Sequence, residues 1–301
     1  MKLVEIQAKS ALKNILLATD FEALASRALQ FAVALADRYH AKLYAAHVIP
    51  QAAYAYARPE SMERILKETY DYAGYQLKQI VGPLKHRGCS CEALLADGDP
   101  GEAITALAAS QAADLIVVGT SSRGGLRKLL LGSVAEEVIR EALCPVLTIG
   151  SHVATDPTAG FQSIVCAVDF SRASARAAEF AASLTHEYHA HLTLVHVVEG
   201  TLKGSPCLDT HLIERRLREF LPFEPELQRE PHLQVEIGPA AERILSVTSE
   251  LSADLIAMGA RGAGAFVQTA SHFGSIAHKV VSLAPCPVLT FGGRHDSRTV
   301  N

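Results

Sequence analysis

The chain has 301 residues, 49% of them apolar and 20% charged, which is enough for two domains that each bury a core. The formal net charge of −4 argues against a nucleic-acid-binding protein, which needs a basic surface. No apolar run reaches the roughly 18 residues of a membrane-spanning helix, and no signal-peptide core is recognisable. We therefore expect a cytoplasmic protein without nucleic-acid or membrane partners, whose six cysteines are reduced thiols.

Short apolar runs rich in β-branched residues alternate with helical patterns along the chain. Alternation of this kind predicts an α/β fold in which a parallel sheet carries helices on both faces, a doubly wound domain. Five strands are predicted in the first half, near residues 13–19, 42–49, 90–95, 114–119 and 145–149. Five more are predicted in the second half, near residues 163–168, 191–198, 232–237, 254–259 and 287–291.

Two segments between the second and third strands of each half are less regular. Residues 51–88 favour a loop followed by a long helix. Residues 200–231 contain four prolines, so they support no more than a shorter helix near residues 208–221.

The two halves repeat each other segment by segment, which indicates duplication of a whole domain. The offset between the copies is 149 residues for Asp20 and Asp169 and 140 residues for Asp114 and Asp254. The matching segments are NILLATDF and SIVCAVDF, AKLYAAHVIP and AHLTLVHVVE, AADLIVVG and SADLIAMG, and CPVLTIG and CPVLTFG. We predict domains over residues 1–150 and 163–293, joined by a linker at residues 151–162 that contains proline and glycine.

A glycine-containing loop between the fourth strand and the next helix occurs in both copies. It reads GTSSRGGLRKLLLGS over residues 119–133 and GARGAGAFVQTASHFGS over residues 259–275. Ligands of parallel sheets bind at the carboxyl ends of strands, where Gly119 and Gly259 would let a ligand approach the backbone. The following Gly-Ser pairs would open a helix whose free N–H groups suit a phosphate.

The first strands also end in carboxylates, Asp20 and Asp169, which could accept hydrogen bonds from a base or a ribose. Together with the loops, they describe a mononucleotide site. Purely structural explanations exist as well, because Ser133 and Glu136 have the spacing of a capping box and the aspartates could cap the next helix. The P-loop lysine and a G-x-G-x-x-G segment after the first strand are both missing.

No residue set in the sequence identifies a metal site or a catalytic centre. Cys89 and Cys91 lack the paired spacing of structural zinc ligands. His47 and His196 recur at one strand position, which favours a half-buried histidine with satisfied hydrogen bonds over a ligand contact.

These motifs resemble the universal stress protein family in its tandem, two-domain form. The resemblance covers nearly the whole chain and lies in the glycine-rich loop, the opening TDF or VDF strand, the HV pair and the CPV strand. The family's loop reads glycine, two residues, glycine, nine residues, then glycine and serine or threonine. The first copy has Ser122 in place of the middle glycine, and the second has 11 residues between Gly262 and Gly274.

The resemblance implies a site for ATP, AMP or ADP, with Mg²⁺ as an accompanying ion. Carried over by position, the nucleotide-binding residues of the first domain are Ala18, Asp20, Val48, Gly119, Ser122, Arg123, Gly132, Ser133 and Val134. Those of the second domain are Ala167, Asp169, Val197, Gly259, Gly262, Gly274, Ser275 and Ile276. The cations Arg123, Arg127 and Lys128 favour the first domain as the stronger phosphate binder.

The expected function is a stress-response protein that binds a nucleotide and acts as a signalling or regulatory module through protein partners. The resemblance also implies that the two domains pack about a pseudo-twofold axis through their last strands, as an intramolecular pseudo-dimer, with a homodimer of chains as a further possibility. Two alternatives remain: a partner-binding protein that has lost nucleotide binding, and a slow ATP-hydrolysing enzyme without a recognisable base or arginine finger.

Overall fold

The first half of the chain folds as five parallel strands connected by helices. The computed structural model describes residues 12–50, 59–120, 131–199, 210–220, 230–260 and 274–292. In chain order the elements of the first half are β1 (Asn14–Ala18), α1 (Ala23–Tyr39), β2 (Lys42–Pro50), α2 (Pro59–His86), β3 (Cys91–Gly98), α3 (Pro100–Ser110), β4 (Leu115–Gly119), α4 (Ser133–Glu141) and β5 (Val146–Ile149).

The second half repeats this order of elements. They are β6 (Ser163–Ala167), α5 (Arg172–Tyr188), β7 (His191–Val198), α6 (Thr210–Phe220), β8 (His232–Ile237), α7 (Ala240–Glu250), β9 (Leu255–Gly259), α8 (Ser275–Leu283) and β10 (Val288–Phe291). The predicted strands are confirmed, as are the long helix α2 and the shorter helix α6. The fold is the predicted pair of doubly wound domains.

The ten strands of the described residues form one continuous sheet, in the order β3-β2-β1-β4-β5-β10-β9-β6-β7-β8. Pairing is parallel within each half and antiparallel only where β5 meets β10. At that junction Leu147 lies opposite Leu289, its own counterpart in the repeat, so the pseudo-twofold axis passes through this pair. The expected contact between the last strands is therefore a hydrogen-bonded ladder.

Helices cover both faces of the sheet, which explains why the strands are apolar throughout. Within β1, Ile15 and Leu17 pack on the face covered by α1, α2, α5 and α6. Leu16 and Ala18 pack on the opposite face, under α3, α4, α7 and α8. The two apolar layers run through both domains without a break at the β5–β10 junction.

The start of each first strand is held by an aspartate that precedes the fourth strand. Asp114 Oδ2 accepts hydrogen bonds from Lys13 N at 2.8 Å and Asn14 N at 2.9 Å. Asp254 Oδ2 does the same for Gln162 N and Ser163 N, at 2.8 and 3.0 Å. This repeated acidic position is therefore structural, because it fixes two neighbouring strands to each other.

Further contacts join the two domains, and two of them pair equivalent positions of the repeat. Arg38 forms an ion pair with Glu187 at 3.0 Å, and Tyr39 packs edge-on against Tyr188 with ring centroids 6.5 Å apart. Gly292 follows β10 so closely against α4 that a Cβ there would lie 2.0 Å from the carbonyl oxygen of Ile139. The packing of the two domains is thus specified by side chains and by backbone proximity.

Two buried threonines on either side of the junction give a first testable prediction. Thr148 Oγ1 has no hydrogen-bond partner among the described residues, whereas Thr290 Oγ1 donates to Val146 O at 3.3 Å. We expect Thr148→Val to raise the free energy of unfolding by about 1 kcal/mol, because an unsatisfied buried hydroxyl is removed. Thr290→Val should lower it by about 1 kcal/mol. Urea unfolding midpoints of the two variants measure this, and equal effects would contradict the assignment.

The tyrosine contact predicts a loss of stability at alkaline pH. Burial raises the pKa of Tyr188 to about 12, with Arg38 opposing and Glu187 reinforcing the rise. A free phenol has a pKa of about 10, so folding favours the protonated form, and this contribution to stability is lost as pH rises from about 10 to 12. Tyr188→Phe should flatten the thermal midpoint across this window relative to wild type. Parallel curves for the two proteins would show that another group titrates instead.

Candidate functional site

In each domain the predicted site residues lie along one edge of the sheet, where the parallel strands end. In the first domain Ala18 ends β1, Gly119 ends β4, and Val48 is buried near the end of β2. Gly132 and Ser133 open helix α4 at the same edge, followed by the half-buried Val134. The fold therefore brings together the described residues that the sequence nominated. Ser122, Arg123 and Gly262 lie outside the described residues.

The carboxylates after the first strands lie in a tight turn. Asp20 Oδ1 accepts a hydrogen bond from Glu22 N at 3.0 Å, and Asp169 Oδ1 accepts one from Ser171 N at 3.0 Å. Neither aspartate is the helix N-cap, since α1 begins after Glu22 and α5 after Ser171. The alternative explanation that these aspartates cap the helices is thus wrong, because they accept hydrogen bonds within the turn before each helix.

Aromatic residues in an unusual backbone conformation follow both aspartates. Phe21 and Phe170 have φ values of 66° and 63°, in the left-handed region that non-glycine residues seldom adopt. Each ring packs on a histidine, with centroids 4.2 Å apart for Phe21 and His47 and 4.7 Å apart in the second domain. His47 Nδ1 hydrogen-bonds Thr19 O at 2.8 Å, which matches the expectation of a satisfied, half-buried histidine.

The glycines that end the fourth strands are required by packing, a reason that the sequence did not reveal. A Cβ on Gly119 would lie 2.9 Å from the carbonyl carbon and oxygen of Leu24 at the start of α1. A Cβ on Gly259 would lie 3.0 Å from that of Ala173 at the start of α5. At both positions a helix of the same domain lies where a Cβ would be, which gives each glycine a packing reason that is independent of any ligand.

The serines at the starts of α4 and α8 do not cap these helices. Gly132 and Gly274 are the N-caps, and Ser133 and Ser275 are the first helical residues. The capping-box explanation of Ser133 is therefore wrong, since the backbone places it one position too late. Both serines are exposed, and neither hydroxyl has a hydrogen-bond partner within the described part of the chain. They lie where the N–H groups of a helix's first turn are available to an anion.

A cavity of about 500 Å³ opens at this edge of the second domain. It lies at the carboxyl ends of β6, β7 and β9, and residues from the starts of α7 and α8 also line it. Seven residues nominated from the sequence line it: Ala167, Asp169, Val197, Gly259, Gly274, Ser275 and Ile276. Its size suits a small organic ligand, because such sites measure about 300–1,000 Å³.

Eight further residues line the cavity that sequence reasoning did not nominate: Val168, Val195, Glu199, Ala240, Ile244, Met258, Ala260 and Ala277. The position of Val195, two residues before Val197 on one strand, signals that both face the same side. Residues of α7 carried no such signal, since its crossing over the strand ends is a tertiary feature.

The described wall of the cavity combines apolar surface with two carboxylates. Apolar groups come from β7, α7 and β9, and the carboxylates are those of Asp169 and Glu199. Lysine and arginine are both missing from the described lining. Positive potential comes instead from the N-terminus of α8, at Gly274 and Ser275. The arrangement offers acceptors for ligand N–H or O–H groups on one side and a weak anion site on the other.

Neither a metal-ligand cluster nor a membrane-spanning helix occurs in the described ranges. No group of three or more histidine, cysteine, aspartate or glutamate side chains there is arranged to hold a metal ion. None of the described helices is long and apolar enough to cross a membrane.

The chain is a tandem α/β protein: two doubly wound domains share one sheet, and in each domain a strand that ends in glycine precedes a helix N-terminus at the candidate site. The universal stress protein family model matches the chain twice, over residues 11–150 and 160–291. The chain therefore belongs to the universal stress protein family and carries its domain in tandem.

Individual relatives agree with this assignment. A universal stress protein of Methanocaldococcus jannaschii is 32% identical over 138 residues, 46% of this chain and 81% of its own length. One from Thermus aquaticus is 35% identical over 140 residues, 46% of this chain and 98% of its own. A crystal structure from Archaeoglobus fulgidus shares the fold over 93% of this chain and 98% of its own, with a TM-score of 0.70 and 23% identity.

The packing role of the strand-end glycines can be tested by adding a methyl group. Gly119→Ala should destabilise the protein by about 2 kcal/mol, because its neighbour is backbone that must move. Gly259→Ala should cost less, since the nearest atom is the Ala173 side chain. Gly74→Ala is the matched control: it lies in α2 with nothing within 4 Å and should stabilise by up to about 1 kcal/mol. Chemical denaturation compares the three, and an Ala at 119 as harmless as at 74 would refute the packing role.

Proposed function

We propose that this protein binds an adenine nucleotide at the carboxyl edge of its domains and acts as a nucleotide-dependent regulatory module in the stress response. The observation that carries the proposal is the cavity of about 500 Å³ in the second domain, with seven family-matched positions in its wall. The cavity combines an apolar interior, hydrogen-bond acceptors and a helix N-terminus, which are the elements that a nucleotide needs.

The charges of the wall favour one orientation of the ligand. Phosphates belong at the first turn of α8, where Ser275 and Ile276 offer backbone N–H groups and Ser275 offers a hydroxyl without a partner in the described residues. Base and ribose belong beside Asp169 and Val197, because a carboxylate accepts hydrogen bonds from their donors but repels phosphate. Ser133 and Asp20 occupy the equivalent places in the first domain.

The proposed ligand is ATP, AMP or ADP, and Mg²⁺ accompanies a polyphosphate. The first domain is the stronger phosphate binder, as its loop cations Arg123, Arg127 and Lys128 favour. The bound nucleotide alters the surface around helix α4 or α8 that protein partners recognise. Any ATP hydrolysis is slow. The five described cysteines are unpaired thiols, which supports a cytoplasmic location.

Placing a carboxylate at the first helical position tests the site without unfolding it. Ser275→Glu and Ser133→Glu each add a negative charge at a helix N-terminus, where it is favourable for the helix but opposes a phosphate. Each variant should lose the rise in melting temperature that millimolar ATP gives in its own domain, and the double variant should lose all of it. Thermal shift with and without Mg²⁺, together with mass spectrometry of gently denatured protein, provides the measurement.

The unliganded variants are their own control for folding, because their melting temperatures should stay at or above the wild-type value. If wild-type protein carries no nucleotide and shows no thermal shift with ATP, AMP or ADP, the proposal fails. The alternative of a partner-binding protein that has lost the nucleotide would then stand. Turnover faster than about 1 per second would instead indicate a true ATP-hydrolysing enzyme.

A further inference from the structure

Glu199, directly after β7, is a cavity-lining carboxylate that is not among the site residues nominated from the sequence. Its Oε1 accepts a hydrogen bond from Ala240 N at 3.1 Å, at the first residue of α7. Within the described residues Oε2 has no partner, and the side chain is exposed to the cavity that it lines. One oxygen therefore fixes the carboxylate in place and the other is available to a ligand.

The two domains differ at this position. The repeat places Pro50 opposite Glu199, so the first domain has no acidic side chain there. Its helix α3 is capped locally by Asp99, whose carboxylate accepts from Gly101 N and Glu102 N. In the second domain the N-cap is Pro239, which has no side-chain acceptor. In the second domain the carboxylate of Glu199, which follows β7, therefore accepts the hydrogen bond at the start of α7 that a local cap would accept. This position also places the carboxylate in the cavity wall.

The sheet order determines which part of a ligand Glu199 would face. The strands beside the cavity run β9-β6-β7, so the start of α8, after β9, and Glu199, after β7, lie on opposite sides of it. Val197 and Ile244 give the Glu199 side an apolar wall, suited to a planar ring. If the phosphates lie at Ser275, the far edge of the base is the part of the nucleotide that reaches Glu199.

We infer that Glu199 is a specificity-determining residue, which makes the second-domain cavity select a purine with an amino group at C6 over one with a carbonyl there. This inference rests on the proposed nucleotide binding and specifies its ligand. A carboxylate oxygen accepts a hydrogen bond from the adenine amino group, whereas the C6 carbonyl of hypoxanthine would present a second acceptor to it. A hydrogen bond to a charged acceptor corresponds to a preference of about tenfold or more.

The methionines provide a reporter for this one cavity. The chain has three, of which Met258 lies in the cavity wall, and Met62 lies in α2. The full chain labelled with ¹³C in the methionine methyl groups would be titrated with AMP and with IMP, which differ at C6 of the base and in the hydrogen that IMP carries on N1. Met258→Leu assigns the signal. We expect AMP to shift the Met258 methyl signal with a dissociation constant at least about tenfold below that of IMP.

Glu199→Gln is the decisive variant, because its amide oxygen can still accept from Ala240 N while its charge is gone. The AMP-to-IMP preference should fall to about onefold, or reverse, since the amide N–H₂ can donate to the C6 carbonyl. Glu242→Gln is the matched control: Glu242 is exposed on α7, paired with Lys279 at 2.8 Å and outside the cavity wall. It should leave the preference unchanged.

The possible results distinguish the role of Glu199 from nucleotide binding itself. Equal affinities for AMP and IMP in wild-type protein, or a preference that survives Glu199→Gln, overturn the role of Glu199 and leave nucleotide binding intact. A Met258 signal that neither nucleotide moves overturns both the role of Glu199 and the second-domain site on which it rests.

Discussion

The antiparallel pairing of β5 with β10 is the contact on which the rest of the molecule depends. Each domain is a parallel sheet whose last strand has only four residues, all of them buried. An exposed apolar edge of this kind is a site for unwanted pairing. Pairing Leu147 with Leu289 closes both inner edges at once, so that β3 and β8 are the edges of the described sheet. Duplication of the domain within one chain thus provides permanently what two separate chains would have to find by collision.

Most of the fold was accessible from the sequence, because its signals are local and are written twice. Continuous apolar strands, amphipathic helices and a repeat of four segments suffice for two doubly wound domains. The union of the sheets was less accessible. A buried run such as CPVLT has the same pattern whether a helix or another strand covers it. The symmetric register through Leu147 and Leu289 is a property of the packed pair.

The location of the candidate site was predictable, because the sequence predicts where strands end and where helices begin. Ala167, Asp169 and Ser275 meet because the carboxyl ends of neighbouring parallel strands share an edge. The reasons assigned to single residues were less secure. The sequence suggested that Gly119 leaves space for a ligand beside the backbone, whereas the start of α1 lies where its Cβ would be. Only the tertiary structure shows that neighbour. Glu199 was missed because its importance depends on α7, which lies more than 40 positions farther along the chain.

The backbone beyond β10 gives the tandem arrangement a further meaning. Since β5 and β10 are antiparallel, the strands of the two domains end at opposite edges of the sheet, and the two candidate sites face away from each other. Gly292 nevertheless lies between them: a Cβ there would be 2.0 Å from the carbonyl oxygen of Ile139 in α4 and 3.7 Å from the Cβ of Ala260 in the second cavity's wall. Helix α4 thus offers its first turn to one site, and its last turn packs against Gly292, which neighbours Ala260 in the wall of the other. Any free energy that couples occupancy of the two sites must act equally in both directions, and the packing of α4 against Gly292 is a direct contact between the domains through which it would pass.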